Sequence, residues 1–214
     1  MDKDYLEKSF IDSLNKNFPG STIYFDIKLK VFRELDTLIF EINKCLVLEF
    51  DRAAITLTNH LLERLLKLAL IYNETGIGPI PTEQWNSVFG EANKKYCSIT
   101  FSKSIDQCKS NGLISEKEWD YLYNTIRELM RNGFSHADSN KILVDFPEET
   151  KVFQGNFKNP SEIKEMNLNQ KEIPFLQELN MESFAKEAAL IYFDSVIKLV
   201  LQIGNRLIEK QKQK

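Results

Sequence analysis

Arg131-Asn132-Gly133-Phe134-Ser135-His136 sets a permanent cation, a carboxamide, a hydroxyl and an imidazole within one short stretch. His136 is one of only two histidines among 214 residues. Such a set suits phosphodiester cleavage. Cutting RNA by internal attack needs a base to take the proton from the ribose 2′-OH and an acid to protonate the departing 5′-oxygen. Histidine titrates close to neutrality and serves as either. The phosphorane formed on the way carries extra negative charge, and the guanidinium of Arg131 offers it a planar fork of donors that stays protonated. Asn132 can orient the phosphate or hold His136 in one tautomer. Arg127, a turn earlier, and Ser135 are candidate RNA-binding residues along the same phosphate track. This chemistry needs no metal and no cofactor, and two histidines with scattered carboxylates form no ligand cluster.

The spacing sets a geometric condition. On an unbroken α-helix, residues five apart sit about 140° from each other. Arg131 and His136 then face different ways. Gly133 offers one solution, because it lets the helix end or kink between them. A second copy of the chain, completing the pair across a dimer, offers another. A structural role for the same residues is also open. His136 can cap a helix C-terminus, where an imidazolium meets free carbonyls. Arg131 can pair with a carboxylate such as Glu63, and Arg127 with Glu118 or Glu128.

The elements that must hold this stretch read as helices. Leu6, Phe10 and Leu14 predict a helix over residues 3–17, ended by Pro19-Gly20. In residues 21–32, Ile27, Leu29 and Val31 alternate with charge as a strand would, with a helix from near Phe32 to Phe50 following. Residues 51–72 carry the broadest apolar face, Leu57, Leu61, Leu62, Leu65, Leu66, Leu68, Ala69 and Tyr72, with His60, Arg64 and Lys67 opposite. Gly76-Ile77-Gly78 reads as a turn, since it lacks the third glycine and the strand of a phosphate loop. Trp85 and Phe89 are expected anchors of an irregular or short helical stretch. A helix over 101–111 ends at Asn111-Gly112. Ser115 and Glu118 form a capping box that opens the segment burying Trp119, Leu122, Ile126, Leu129 and Met130. Residues 139–180 are polar, with a small hairpin possible around Gly155, and a connection of that length in a compact domain is mobile or functional. Phe184, Ala188, Ile191, Tyr192, Leu199, Ile203 and Leu207 line a last helix over 181–211, with a frayed tail beyond.

Composition bounds the rest. Hydrophobic residues are 43% and charged residues 28%, an ordinary balance for a globular chain of this size. Eight glycines and six prolines are few, which favours helices. The net charge of −3 excludes a global basic field, so any RNA contact comes from a local patch. Cys45, Cys97 and Cys108 are odd in number and widely spaced, which argues against a disulfide framework or a zinc site, and Cys97 and Cys108 read as buried small apolar groups. No signal peptide is evident, and no run of about 18 apolar residues exists for a membrane span. A cytoplasmic protein follows by default.

Arg-Asn-x-x-x-His at a helix end resembles the Arg-x4-6-His signature of the HEPN superfamily. The approach through Ser104-Ile105-Asp106, Gly112-Leu113-Ile114-Ser115 and Trp119 to Met130 is similar too, and Leu62-Glu63-Arg64-Leu65-Leu66-Lys67 resembles the first core helix of such domains. The likeness covers residues 51–138, and loosely 181–211. Residues 1–50 stand as a mainly helical extension, and 139–180 as a long insert within a 51–214 domain. The resemblance implies an all-α bundle with a long loop before its last helix. It implies catalytic Arg131 and His136 with Asn132 supporting, RNA as substrate, and a homodimer whose two motifs meet in one cleft. Members of the family recur in toxin–antitoxin pairs and antiviral defence, so an antitoxin or regulatory protein is a further expected partner. The toxin subgroup paired with a nucleotidyltransferase-like antitoxin carries tyrosine two residues after the histidine, where this chain has Asp138. A non-catalytic module of the same type, binding RNA, a nucleotide or a protein, is the alternative.

Overall fold

The leucine-rich face of residues 51–72 becomes the centre of the molecule. The computed structural model describes residues 2–135, 142–144, 146–156 and 159–213. Helices α1 (Lys3–Phe25), α2 (Asp36–Val47), α3 (Asp51–Thr75), α4 (Trp85–Cys97), α5 (Phe101–Ser110) and the short α6 (Glu116–Asp120) come first. A helical segment over Tyr121–Ser135 continues α6 with π winding. A hairpin of β1 (Glu149–Asn156) and β2 (Asn159–Asn169) precedes the last helix, α7 (Pro174–Lys212). The fold is mostly α, as the sequence implies.

Leu61, Leu62, Leu65, Leu66 and Ala69 of α3 are completely buried. They share one apolar cluster with Tyr192, Phe193, Val196, Val200 and Ile203 of α7. Helices α2, α4 and α5 and the π segment pack round the same α3. Opposite the buried stripe, His60 and Arg64 are exposed as expected, but Lys67 is half-buried. Its ammonium donates to the Cys97 carbonyl and to Glu63, both at 3.0 Å.

Several sequence expectations need correction. Helix α1 does not end at Pro19-Gly20 but continues to Phe25. Tertiary bonds fix it on both sides of the proline and outweigh the lost backbone bond. Asn17 donates to the Val47 carbonyl at 3.1 Å, Asn43 to the Ser21 carbonyl at 3.2 Å, and the Tyr24 hydroxyl to Asp194 at 2.9 Å. The alternation after it does bury Leu29 and Val31, but against α7 and not within a sheet. Side chains of Val31 and Phe32 lie over Gly204 of α7, where an added Cβ would be 3.6 Å from Val31 Cβ. Trp85 is no anchor, being 53% exposed, and Ile191 of α7 is 71% exposed. The long loop before the last helix is the antiparallel hairpin, with Val152 opposite Met166 and Lys151 opposite Asn167. Gly155 sits in its irregular register step between Gln154 and Asn156. Helix α7 starts at Pro174 and stays helical through Lys212, where a frayed tail was expected. Among the described residues, no helix is long and apolar enough to cross a membrane.

The capping box forms as expected: Ser115 Oγ accepts from the Glu118 amide, and Glu118 accepts from the Ser115 amide at 2.5 Å. Glu118 has a second partner that ties this corner to α7. Arg206 meets its carboxylate at 2.8 and 3.0 Å and donates to the Leu113 carbonyl at 2.9 Å. Burial alone would raise the Glu118 pKa, but Arg206 and the Ser115 bonds outweigh it and hold the carboxyl below its usual range. A carboxyl lowered in the folded state stabilises the fold above its unfolded pKa and loses that contribution as the pH falls. Urea midpoints of the wild type therefore drop as the pH falls below about 4.3. Glu118→Gln is expected to flatten that acid limb and to lower stability at pH 7 by about 1–2 kcal/mol, read from urea melts at several pH values.

Candidate functional site

The segment that carries the motif is wound so that each amide reaches back five residues. In such a winding a five-residue step within Tyr121–Ser135 is close to one full turn. Gly133 lies within the π winding. It is buried within the segment, which runs on to Ser135. The backbones of Arg131, Asn132 and Ser135 belong to the winding, while their side chains lie outside the described residues. His136 and Asp138 lie wholly outside them.

What fixes the segment is legible around it. Leu122, Ile126 and Met130, at spacing four, point into the core and are buried. Phe134 stacks on Phe184 of α7, with ring centroids 5.7 Å apart. Between these apolar contacts runs a polar chain through the core. The Tyr192 hydroxyl donates to Asn59 Oδ1 at 2.7 Å, and Asn59 Nδ2 donates to the Met130 carbonyl at 2.8 Å. That carbonyl lies in the last turns of the described π segment. Burial, with the nearby Tyr121 adding to it, pushes the Tyr192 phenol well above its ordinary range, so it stays a donor. The sequence names Tyr192 only as an apolar lining position and does not single out Asn59. The usable signal was an amide inside the leucine face of α3, since a buried amide must find partners.

On the outer side of the segment, two stacked rings lie between two cations. Lys109 Nζ lies 4.0 Å from the Trp119 ring centroid. Trp119 and Tyr123 stack at 5.1 Å, and the Arg127 guanidinium lies 3.9 Å from the Tyr123 ring. Arg127 also reaches Ser102 Oγ at 3.4 Å. Acidic groups border this ladder: Trp119 Nε1 donates to Asp106 at 2.8 Å, and Lys109 pairs with Glu116 at 2.7 Å. The expected pairing of Arg127 with Glu118 does not occur, because Glu118 is taken by Arg206. Each cation over a ring contributes on the order of 0.5–1 kcal/mol at an exposed site. Thus Arg127 is held by an aromatic face, one turn before Arg131 on the same segment.

The three cysteines are free. Cys108 is fully buried, and burial drives its thiol pKa far up, which suits a small apolar group. Cys97 is only half-buried, with its Sγ 2.7 Å from Asn93 Oδ1. Among the described residues no group of three or more His, Cys, Asp or Glu side chains is arranged to hold a metal ion.

The polar chain should set the stability of the motif's end. Asn59→Leu leaves the Tyr192 hydroxyl and the Met130 carbonyl buried without this partner. It is expected to cost about 2–4 kcal/mol, and Tyr192→Phe about 1–2 kcal/mol, both measured by urea denaturation. Comparison of the chain with protein-family models, with curated proteins and with solved structures finds no match.

Proposed function

We propose that this chain is a metal-independent endoribonuclease of HEPN type that cuts single-stranded RNA or an RNA loop and leaves a 2′,3′-cyclic phosphate. His136 acts as acid and base, Arg131 stabilises the charge of the transition state, and Asn132 supports them. The observation that carries this reading is the Arg131-Asn132-x-x-x-His136 spacing at the end of a helical segment whose Met130 carbonyl is tied to α3. A site used for catalysis needs such support, because its groups must be held to within a fraction of an ångström. The Tyr123–Arg127 pair on the approach offers a ring and a cation to a nucleic-acid strand, with Ser135 adding a polar contact. In this proposal a homodimer brings two motifs to one cleft, and an antitoxin or regulatory protein restrains a cytoplasmic nuclease used in defence or stress.

The second reading is a non-catalytic module of the same type. The engagement of Arg127 by Tyr123 and Ser102 favours it, since that cation already has a structural role. Incubation of a mixed RNA pool in EDTA separates the two. The nuclease reading expects cutting by the wild type with cyclic-phosphate ends. His136→Ala should slow it by about 10²–10⁴-fold and Arg131→Ala by about 10²–10³-fold, with unchanged melting temperatures. Cutting that is equally fast in all three proteins, or seen in none while the wild type still retains labelled RNA, rejects the nuclease and leaves the binding module.

A further inference from the structure

Away from the motif, α3, α4 and the chain segment before α2 enclose an aromatic cleft. Two adjoining hollows, of about 480 and 530 Å³, share a wall made by Glu34, Tyr72, Trp85 and Phe89. Volumes of this size match small-ligand sites. The rings form a continuous set: Phe32 lies 5.8 Å from Tyr72 at an interplanar angle of 32°, and Tyr72 lies 6.4 Å from Phe89. The Tyr72 hydroxyl donates to Glu34 at 2.5 Å, which fixes the ring in place. Trp85 is tied at its edge, where Nε1 donates to the Ile80 carbonyl at 3.0 Å, while half of its surface stays open.

The backbone beside this wall is strained. Phe32 adopts left-handed φ 68° and ψ 35°, a conformation that a bulky side chain avoids. Its ring is buried, so packing holds it there. The bend turns the chain so that Phe32 floors the cleft while Arg33 and Glu34, both exposed, reach its rim. Strain of this kind is kept where surrounding structure enforces it, often at ligand sites.

Charge completes the picture. The charged residues lining the two hollows are Lys30, Arg33 and Arg64 against the single carboxylate of Glu34. That carboxylate is engaged by Tyr72. Among the described residues, Lys30, Arg33 and Arg64 enter no ion pair. In a chain of net charge −3, a local excess of cations beside bare ring faces selects a ligand with both a flat aromatic part and an anionic part. A neutral aromatic would leave the cations unmatched, and a simple polyanion would leave the rings wet.

We infer that this cleft binds a free nucleotide, its base stacked on the Trp85–Phe89–Tyr72 wall shared by the two hollows and its phosphate paired with the cations that line them, Lys30 and Arg33 in one and Arg64 in the other. The inference stands independently of the nuclease reading. Base stacking and phosphate pairing are separable contributions, which makes the test sharp. Isothermal titration of the full chain with AMP, adenosine and tripolyphosphate is the experiment. AMP should bind at one site, with adenosine and tripolyphosphate each at least about tenfold weaker. Trp85→Ala should weaken AMP and adenosine alike, by roughly tenfold. The double variant Arg33→Ala/Arg64→Ala should erase the difference between AMP and adenosine. All three side chains are exposed, so melting temperatures should stay within a few degrees, confirming that the variants fold. No heat with millimolar AMP, tripolyphosphate binding as tightly as AMP, or AMP binding untouched by both variants would each overturn the inference.

Discussion

Everything in this fold leans on the packing of α3 against α7. The two helices lie far apart in sequence, yet their apolar faces interlock in one cluster, and α2, α4, α5 and the π segment are arranged around α3. Burial of this kind is non-directional and tolerates many arrangements. Direction comes from the hydrogen bonds that cross it. The chain from Tyr192 through Asn59 to Met130 is satisfied only when α7, α3 and the motif segment are in register. A slip of any one of the three strands the others' buried polar atoms, which costs far more than the bonds contribute when made. The polar chain thus specifies an arrangement that the apolar contacts stabilise.

Much of this was legible in the sequence, and the reasons differ by element. The α3 face, the Ser115–Glu118 box and the Gly112 stop are local signals, and local chemistry decides them: Gly112 takes φ 64° where the helix ends. Elements decided by distant partners were less legible. Pro19 reads as a terminator, but Val47, Asn43 and Asp194 hold the helix together across it. The Leu29 and Val31 alternation is a true burial pattern, yet the surface covering it is a helix. The hairpin around Gly155 was legible but its length was not, because its strands, such as Glu149–Asn156, are short of apolar residues and rich in charge and amide. Of the candidate site, the helical approach was readable from residue types. The winding of the segment was not, because hydrogen-bond pitch is a property of packing and not of spacing.

Two differently built regions therefore share one scaffold. The motif segment is clamped from within, by a carbonyl tied to a buried amide and by the Phe134–Phe184 stack. The aromatic cleft is shaped from without, by a strained loop pressed onto the outer side of α3. They lie on different neighbours of α3. Arg64 and Asn59 belong to that one helix, so a rigid α3 is the element through which the two regions share mechanical support. The α1 end offers a contrast: residues 2–12 are all exposed, and Phe10 meets the Phe50 ring in a T-shaped contact at 6.1 Å.

The hairpin has a consequence for how the chain behaves when cut. Its two strands pair mainly with each other, and its base is tied down by Gln170, which donates from its amide to the Glu148 carbonyl at 2.8 Å and from its side chain to the Pro147 carbonyl at 2.6 Å. An isolated two-stranded ribbon is marginally stable in water. The ribbon is thus the covalent link between the motif segment and α7. A nick there leaves α7 on one fragment and α3 on the other, still joined by their shared core. The molecule is in effect two peptides that happen to be covalently linked. Reassembly of separately made halves follows from the same packing that gives the intact chain its shape.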